Sequence, residues 1–200
     1  AGNHDIEQCW RCQHYQHQRQ RSTNGKGQRR RQRRRVTGFA GSVMTEAATP
    51  FRVAFVDTGN TGRSMTAAAL AQWWATQHAA AVQVISRALD FNPYNVTPEQ
   101  DFVKLLAPLG IAVSAHRATA FDASVVKFSD LILVMTPAHR DSILADFPEA
   151  KPEVFLICEY ATGEAVEVLD ALGQSPAFYA EVFQQISALI PKLMGKLPKK

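Results

Sequence analysis

One short stretch holds the side chains best suited to act on an anion: Asp57, Thr58, Gly59, Asn60, Thr61, Gly62, Arg63 and Ser64. Glycine and asparagine accept backbone angles that other residues avoid. A loop built from them can turn several backbone N–H groups toward one point. A helix starting behind it adds partial positive charge. Arg63 supplies a planar fork that matches phosphate oxygens. Ser64 is expected to cap a helix that begins at Met65. The stretch reads as an oxyanion cradle. Asp57 is its anomaly, an acid placed where the anion should arrive.

Other reactive side chains are scattered along the chain. Asp170 fits either a general acid or a solvated loop acid. Cys158 reads as a core thiol at the end of a buried strand. His116 reads as a residue that secures its own loop. Phe91 and Tyr94 fit a pocket wall or ordinary packing. Cys9-x-x-Cys12 with His14 and His17 has zinc-type ligands. Their spacing is compressed, and no apolar residues follow to fold around a metal. No metal or other cofactor is expected.

The elements that must position these residues alternate between strand and helix. Buried strands are expected at 52–56, 82–86, 131–135 and 153–158, the first built on the apolar run 53–56, rich in β-branched and aromatic residues. Helices are expected at 64–78, at 97–109 with Thr97 as N-cap and Pro98 at its first position, at 122–127, at 136–146 and at 175–193. A loop from 159 to 174 precedes the last helix. Such alternation indicates an α/β three-layer sandwich with a parallel sheet. Ligands of such sheets bind beyond the carboxyl ends of the strands. The loops 57–63, 86–95, 135–140 and 158–173 should therefore share one rim.

Charge divides the 200 residues unevenly. The first forty hold ten Lys and Arg against Asp5 and Glu7; the other twelve basic residues face sixteen acids. Residues 1–43, rich in Gln, Arg and His, are expected to be a disordered extension, and 44–200 the folded domain. The run 28–35 resembles arginine-rich RNA-binding peptides. A solvated tail without a partner, or a non-native leader before a natural start at Met44, is the favoured reading. Three cysteines are too few and too odd for a disulfide framework, which fits a reducing, cytoplasmic setting. No apolar run is long enough to span a membrane. Residues 36–44 follow a twin arginine, but they are too short for a secretory signal and Glu46 interrupts them.

Residues 51–193 resemble the low-molecular-weight protein tyrosine phosphatase family, including the arsenate reductases built on that fold. The family's phosphate loop is a Cys, five residues, then Arg and Ser or Thr. Here Asp57, five residues, Arg63 and Ser64 occupy that pattern, with Gly59 and Asn60 in family positions. Ser114-x-His116-Arg117, the run 129–135 with His139 and Arg140, Phe147-Pro148-Glu149, Phe155-Leu156 with Glu159-Tyr160, and Asp170 with Phe178-Tyr179 continue the likeness in order. The resemblance implies a four-stranded parallel sheet with helices on both faces. It implies phosphate binding by residues 58–64, with Arg63 on the phosphoryl oxygens and Asp170 as general acid.

The departures matter as much. The thiolate that attacks phosphorus in the family is replaced by Asp57. The second loop cysteine of many members is replaced by Gly62. The usual Asp-Pro-aromatic acid loop reads Asp170-Ala171-Leu172. Arsenate reduction at this loop is not expected.

Three readings of Asp57 stay open. In the first, its carboxylate is held by the loop N–H groups and Arg63 in place of phosphate, giving weak phosphate binding and no turnover. In the second, Asp57 is the nucleophile of a phosphotyrosine-type hydrolase with Asp170 as acid. Such enzymes usually recruit Mg²⁺, and the sequence offers no second acid next to Asp57 to hold it. In the third, the tail binds nucleic acid and the domain is a scaffold.

Overall fold

The computed structural model describes residues 49–198. The zinc-type residues Cys9, Cys12, His14 and His17, the arginine-rich run 28–35 and the start at Met44 lie outside the described residues. Strand β1 (Phe51–Asp57) leads through the cradle loop into helix α1 (Arg63–Gln77). Strand β2 (Val82–Ala88) is followed by α2 (Gln100–Leu106) and a 3₁₀ turn at Ala107–Leu109. Next come α3 (Ala123–Phe128), β3 (Leu131–Val134) and α4 (Pro137–Asp146). The chain closes with β4 (Val154–Leu156), α5 (Ile157–Thr162) and α6 (Pro176–Lys196).

The four strands form one sheet in the order β2-β1-β3-β4, with every neighbouring pair parallel. This is the expected three-layer sandwich. Side chains alternate across a strand, so β1 feeds two cores. Val53 and Phe55 pack with Leu131, Leu133 and the inner faces of α1 and α6, including Leu70, Ile186 and Leu193. Ala54 and Val56 pack on the other side with Ile132, Val134, Val125 of α3 and Ile143 of α4. Residues 53–56 of β1 are buried, which is why their sequence shows no polar alternation.

Local rules account for several boundaries. Asp122 caps α3 by accepting from the N–H groups of Ser124 and Val125. Thr136 caps α4, with Pro137 at its first position, where no N–H is needed. Ser175 caps α6, ahead of Pro176.

Several boundaries differ from expectation, and β2 runs two residues further than 86, to Ala88. Helix α1 starts at Arg63 with Gly62 at the cap position, so Ser64 lies inside the first turn and does not cap it. Helix α2 starts at Gln100 with Glu99 at the cap position, two residues late, because Glu99 directs its side chain to Thr61 and Tyr179. Strand β4 stops at Leu156, and Ile157-Cys158 turn into α5 inside the region read as strand and loop. There Glu159 accepts from the Leu156 N–H and pairs with Arg140. Helix α6 continues through Pro191 to Lys196. None of the helices in the described part is long and apolar enough to cross a membrane.

Candidate functional site

The cradle loop sits at the carboxyl end of β1, in the middle of the sheet. Its polar side chains are almost wholly inside: Asp57 is 3% exposed and Arg63 4%, and Asn60, Thr61 and Ser64 are buried as well. Only Thr58 is exposed and Gly59 half-buried. Buried polar groups must be bonded, and here they bond one another.

Asp57 organises the loop. Its Oδ1 accepts from the Asn60 N–H at 2.6 Å, and its Oδ2 accepts from the Ser64 N–H at 2.8 Å. Ser64 lies in the first turn of α1. The carboxylate thus occupies the anion position that a helix N-terminus favours, and it takes over the capping role expected of Ser64.

Asn60 adopts φ +56°, the left-handed region that asparagine tolerates better than most residues. Its amide group donates to Ser64 Oγ at 3.0 Å and accepts from the Thr119 N–H at 3.1 Å. Its carbonyl accepts from His116 Nε2 at 2.7 Å. His116 therefore does secure a loop, but the cradle loop and not only its own.

Arg63 does not pair with Asp57. Its Nη1 donates to the Val168 carbonyl and its Nη2 to Asp170 Oδ2, both at 2.9 Å. This corrects the expectation that the Asp57 carboxylate leans on Arg63. The guanidinium turns instead to the 163–175 loop, where it meets a carbonyl and a half-exposed carboxylate. The second Asp170 oxygen accepts from the Leu172 N–H at 3.1 Å.

Three residues at the site were not singled out as site residues in the sequence. Glu99 accepts from Thr61 Oγ1 at 3.0 Å and from the Tyr179 hydroxyl at 2.8 Å. Burial pushes the Glu99 carboxyl above its usual range, and the charges of Asp170 and Asp57 add to the rise, opposed by the two hydroxyl donors. The sequence offers no acid next to Asp57, yet the fold brings Glu99 within electrostatic reach of both Asp57 and Asp170. Tyr179 is buried and its phenol is pushed up in turn, first by burial and then by Glu99. His139 Nε2 meets Thr58 Oγ1 at 3.0 Å while its Nδ1 lacks a partner. Burial holds the imidazole below its ordinary range, and Arg63 reinforces this. Thr136 as N-cap accepts from the His139 N–H and so fixes where His139 points.

A raised carboxyl has a stability signature. The fold favours the protonated acid, so the contribution is complete below the unfolded value of about 4 and is lost as pH rises through the folded one. Glu99→Gln is therefore expected to melt higher than wild type at pH 7 to 8, with the difference shrinking toward pH 4. Thermal unfolding across that range checks it; a difference that does not change with pH would exclude a charged, desolvated Glu99 at neutrality.

Other candidates separate from the cradle. Cys158 is buried, as a core thiol should be, but it lies in α5 and not at a strand end. Burial raises its thiol, and Gln185 approaches the sulfur at 3.7 Å. Phe91 and Tyr94 belong to neither core cluster; both are exposed, Tyr94 at 97%. A cavity of about 590 Å³ lies beside the cradle, between α1, β2 and residues 110–119, with His116 and Thr119 in its wall. Among the described residues, no group of three or more His, Cys, Asp or Glu is placed to hold a metal ion.

Comparison with known proteins gives a consistent result. The family model described as low molecular weight phosphotyrosine protein phosphatase matches residues 52–200. A protein-arginine-phosphatase of Bacillus subtilis is 32% identical over 148 residues, 74% of this chain and 97% of the relative. The low molecular weight protein-tyrosine-phosphatase PtpB of Staphylococcus haemolyticus is 30% identical over 143 residues, 71% of this chain and 96% of the relative. Among solved structures, a YwlE mutant from Bacillus subtilis superposes with a TM-score of 0.69 at 30% identity, covering 73% of this chain and 97% of that one. A cysteine-to-serine mutant of the YwlE arginine phosphatase, with a phosphorylated active-site serine, gives 0.70 at 30% identity, covering 74% and 95%.

Proposed function

The chain belongs to the low molecular weight phosphotyrosine protein phosphatase family, and we propose that it is a catalytically impaired member with Asp57 in the place of the nucleophilic cysteine. The observation that carries this reading is the double contact of Asp57. Its two oxygens take the N–H groups of Asn60 and Ser64, which face the cradle. An arriving phosphoryl group meets a site whose donors already hold an anion. Like charges about 4 Å apart repel by about 4 kcal/mol per unit charge at an effective dielectric near 20. That is about a thousandfold in affinity for each charge on the phosphate.

The pairing of Arg63 with Asp170 works in the same direction. Arg63 is the residue proposed to bind phosphoryl oxygens, and Asp170 the one proposed to protonate the leaving group. In this arrangement each satisfies the other. The names of the relatives point to phosphorylated arginine or tyrosine side chains as the ancestral ligands. In this chain, residues 58–64 bind such groups weakly. The sparse cysteines support a cytoplasmic setting.

A second reading makes Asp57 itself the nucleophile, with Asp170 as acid. Its support is the neighbour whose active-site serine oxygen carries a phosphoryl group. One assay separates the two. Wild type is expected to hydrolyse an aryl phosphate at a negligible rate, with or without Mg²⁺. Turnover in wild type that disappears in Asp57→Asn would establish the nucleophilic reading and end the impaired one.

A further inference from the structure

The described residues with large, exposed hydrophobic side chains are Phe91, Tyr94, Val166, Leu169 and Leu172. All five stand on two loops, 89–99 and 163–175. Both loops are bonded to the cradle. The Leu89 N–H donates to the Asp57 carbonyl, the Asp90 N–H to the Thr58 carbonyl and the Glu99 N–H to the Thr61 carbonyl. On the other side, Arg63 holds the Val168 carbonyl and Asp170. Residues that need burial elsewhere in the molecule are thus left in water around one site. Scattered apolar residues on a surface need no explanation, but their concentration at one place marks an interaction surface.

Charge indicates what the surface takes. Residues 89–99 and 163–175 contain Asp90, Glu99, Glu164, Glu167 and Asp170 but no lysine or arginine. Asp57 adds a further acid beneath them. Arg63, the cation at the centre, is paired with Asp170. Phosphorylated segments, nucleic acids and anionic lipids all meet like charge here. A basic segment meets opposite charge, and its apolar residues meet Leu169, Leu172 and Tyr94.

We propose that the two loops form a docking surface for an unphosphorylated protein segment in which arginine or lysine alternates with large apolar residues. The proposal rests on the reading that the cradle holds its own anion in place of phosphate. It turns a site for a phosphorylated side chain into one for a basic side chain, using the same location and the opposite sign. Complementary charge accelerates encounter and selects partners, and the apolar contacts hold the complex.

The test uses the full chain and two fluorescent eight-residue peptides, one alternating arginine with leucine and one alternating glutamate with leucine. Anisotropy at 150 mM salt is expected to show the arginine peptide binding at least tenfold tighter. Leu169→Ser/Leu172→Ser is expected to weaken it at least fivefold, and Glu164→Lys/Glu167→Lys likewise. Equal affinity for both peptides overturns the proposal, as does arginine-peptide binding that neither double variant changes. Aryl phosphate turnover is measured on the same samples. Turnover by wild type defeats the impaired-phosphatase reading whatever the peptides do. Absent turnover with no peptide preference defeats the docking surface alone.

Discussion

Asp57→Cys is expected to raise kcat/KM for an aryl phosphate at least a hundredfold above wild type. Arg63 and Asp170 lie beside the loop, paired with each other. Thiolates are stabilised at helix N-termini and beside N–H donors, and the Asn60 and Ser64 N–H groups that now hold the Asp57 carboxylate would face the sulfur. A thiolate carries the same unit charge as the carboxylate, so the expected gain lies in its far greater nucleophilicity toward phosphorus and not in relief of repulsion. Stability should fall, because two hydrogen bonds to a charged acceptor contribute roughly 3–6 kcal/mol together and a thiolate replaces them only in part. The variant is therefore compared with Asp57→Ser, which also loses the carboxylate but gains no thiolate. Turnover in the cysteine variant alone is the expected pattern. A folded cysteine variant whose thiol reacts with iodoacetamide but which turns over no substrate would shift the block to the Arg63–Asp170 pairing. The impaired reading would then rest on the 163–175 loop and not on residue 57.

The sequence made the local parts of this site legible and the distant parts not. Strand β1, the cradle loop and the start of α1 are contiguous, and their residue types follow from what a buried strand, a tight anion loop and a helix start each require. The caps Asp122, Thr136 and Ser175 are equally local. Glu99 is different. It meets Thr61 across 38 residues and Tyr179 across 80, and His139 meets Thr58 across 81. No spacing rule relates such positions, and only the parallel order β2-β1-β3-β4 brings their loops to one rim. The partner of Arg63 was hidden for the same reason: Asp170 lies 107 residues away. At 153–158 the difficulty was of another kind. The five-residue apolar run 154–158 reads alike as strand or buried helix, and the choice was made by Glu159 capping α5 from within. Thr97-Pro98-Glu99 misled because it satisfies a helix-start rule, while the fold draws the Glu99 side chain into the cradle.

Gly62 shows how one of these distant contacts fixes a loop residue. A Cβ placed there would stand 2.5 Å from Glu99 Oε1, 3.0 Å from Glu99 Cδ and 3.1 Å from Phe102 Cε2. The backbone at Gly62 has φ −121°, so left-handed geometry is not what selects glycine. Space selects it. A carboxylate at the end of a flexible side chain normally gives way at little cost, but Glu99 is held by Thr61 and Tyr179, and Phe102 is wedged against the Tyr179 ring with centroids 5.0 Å apart. Gly62→Ala is therefore expected to destabilise the domain by about 2 kcal/mol, within the usual range for overpacking. The distinctive expectation is coupling. Once Glu99→Ala has vacated the space, Gly62→Ala should cost less than about 0.5 kcal/mol, leaving an interaction energy above 1 kcal/mol in a double-mutant cycle. Urea unfolding of the four proteins measures it. Additive losses would mean that Phe102 alone sets the limit at residue 62. A coupled result would mean that the glycine in this cradle and the half-buried acid beside it depend on each other.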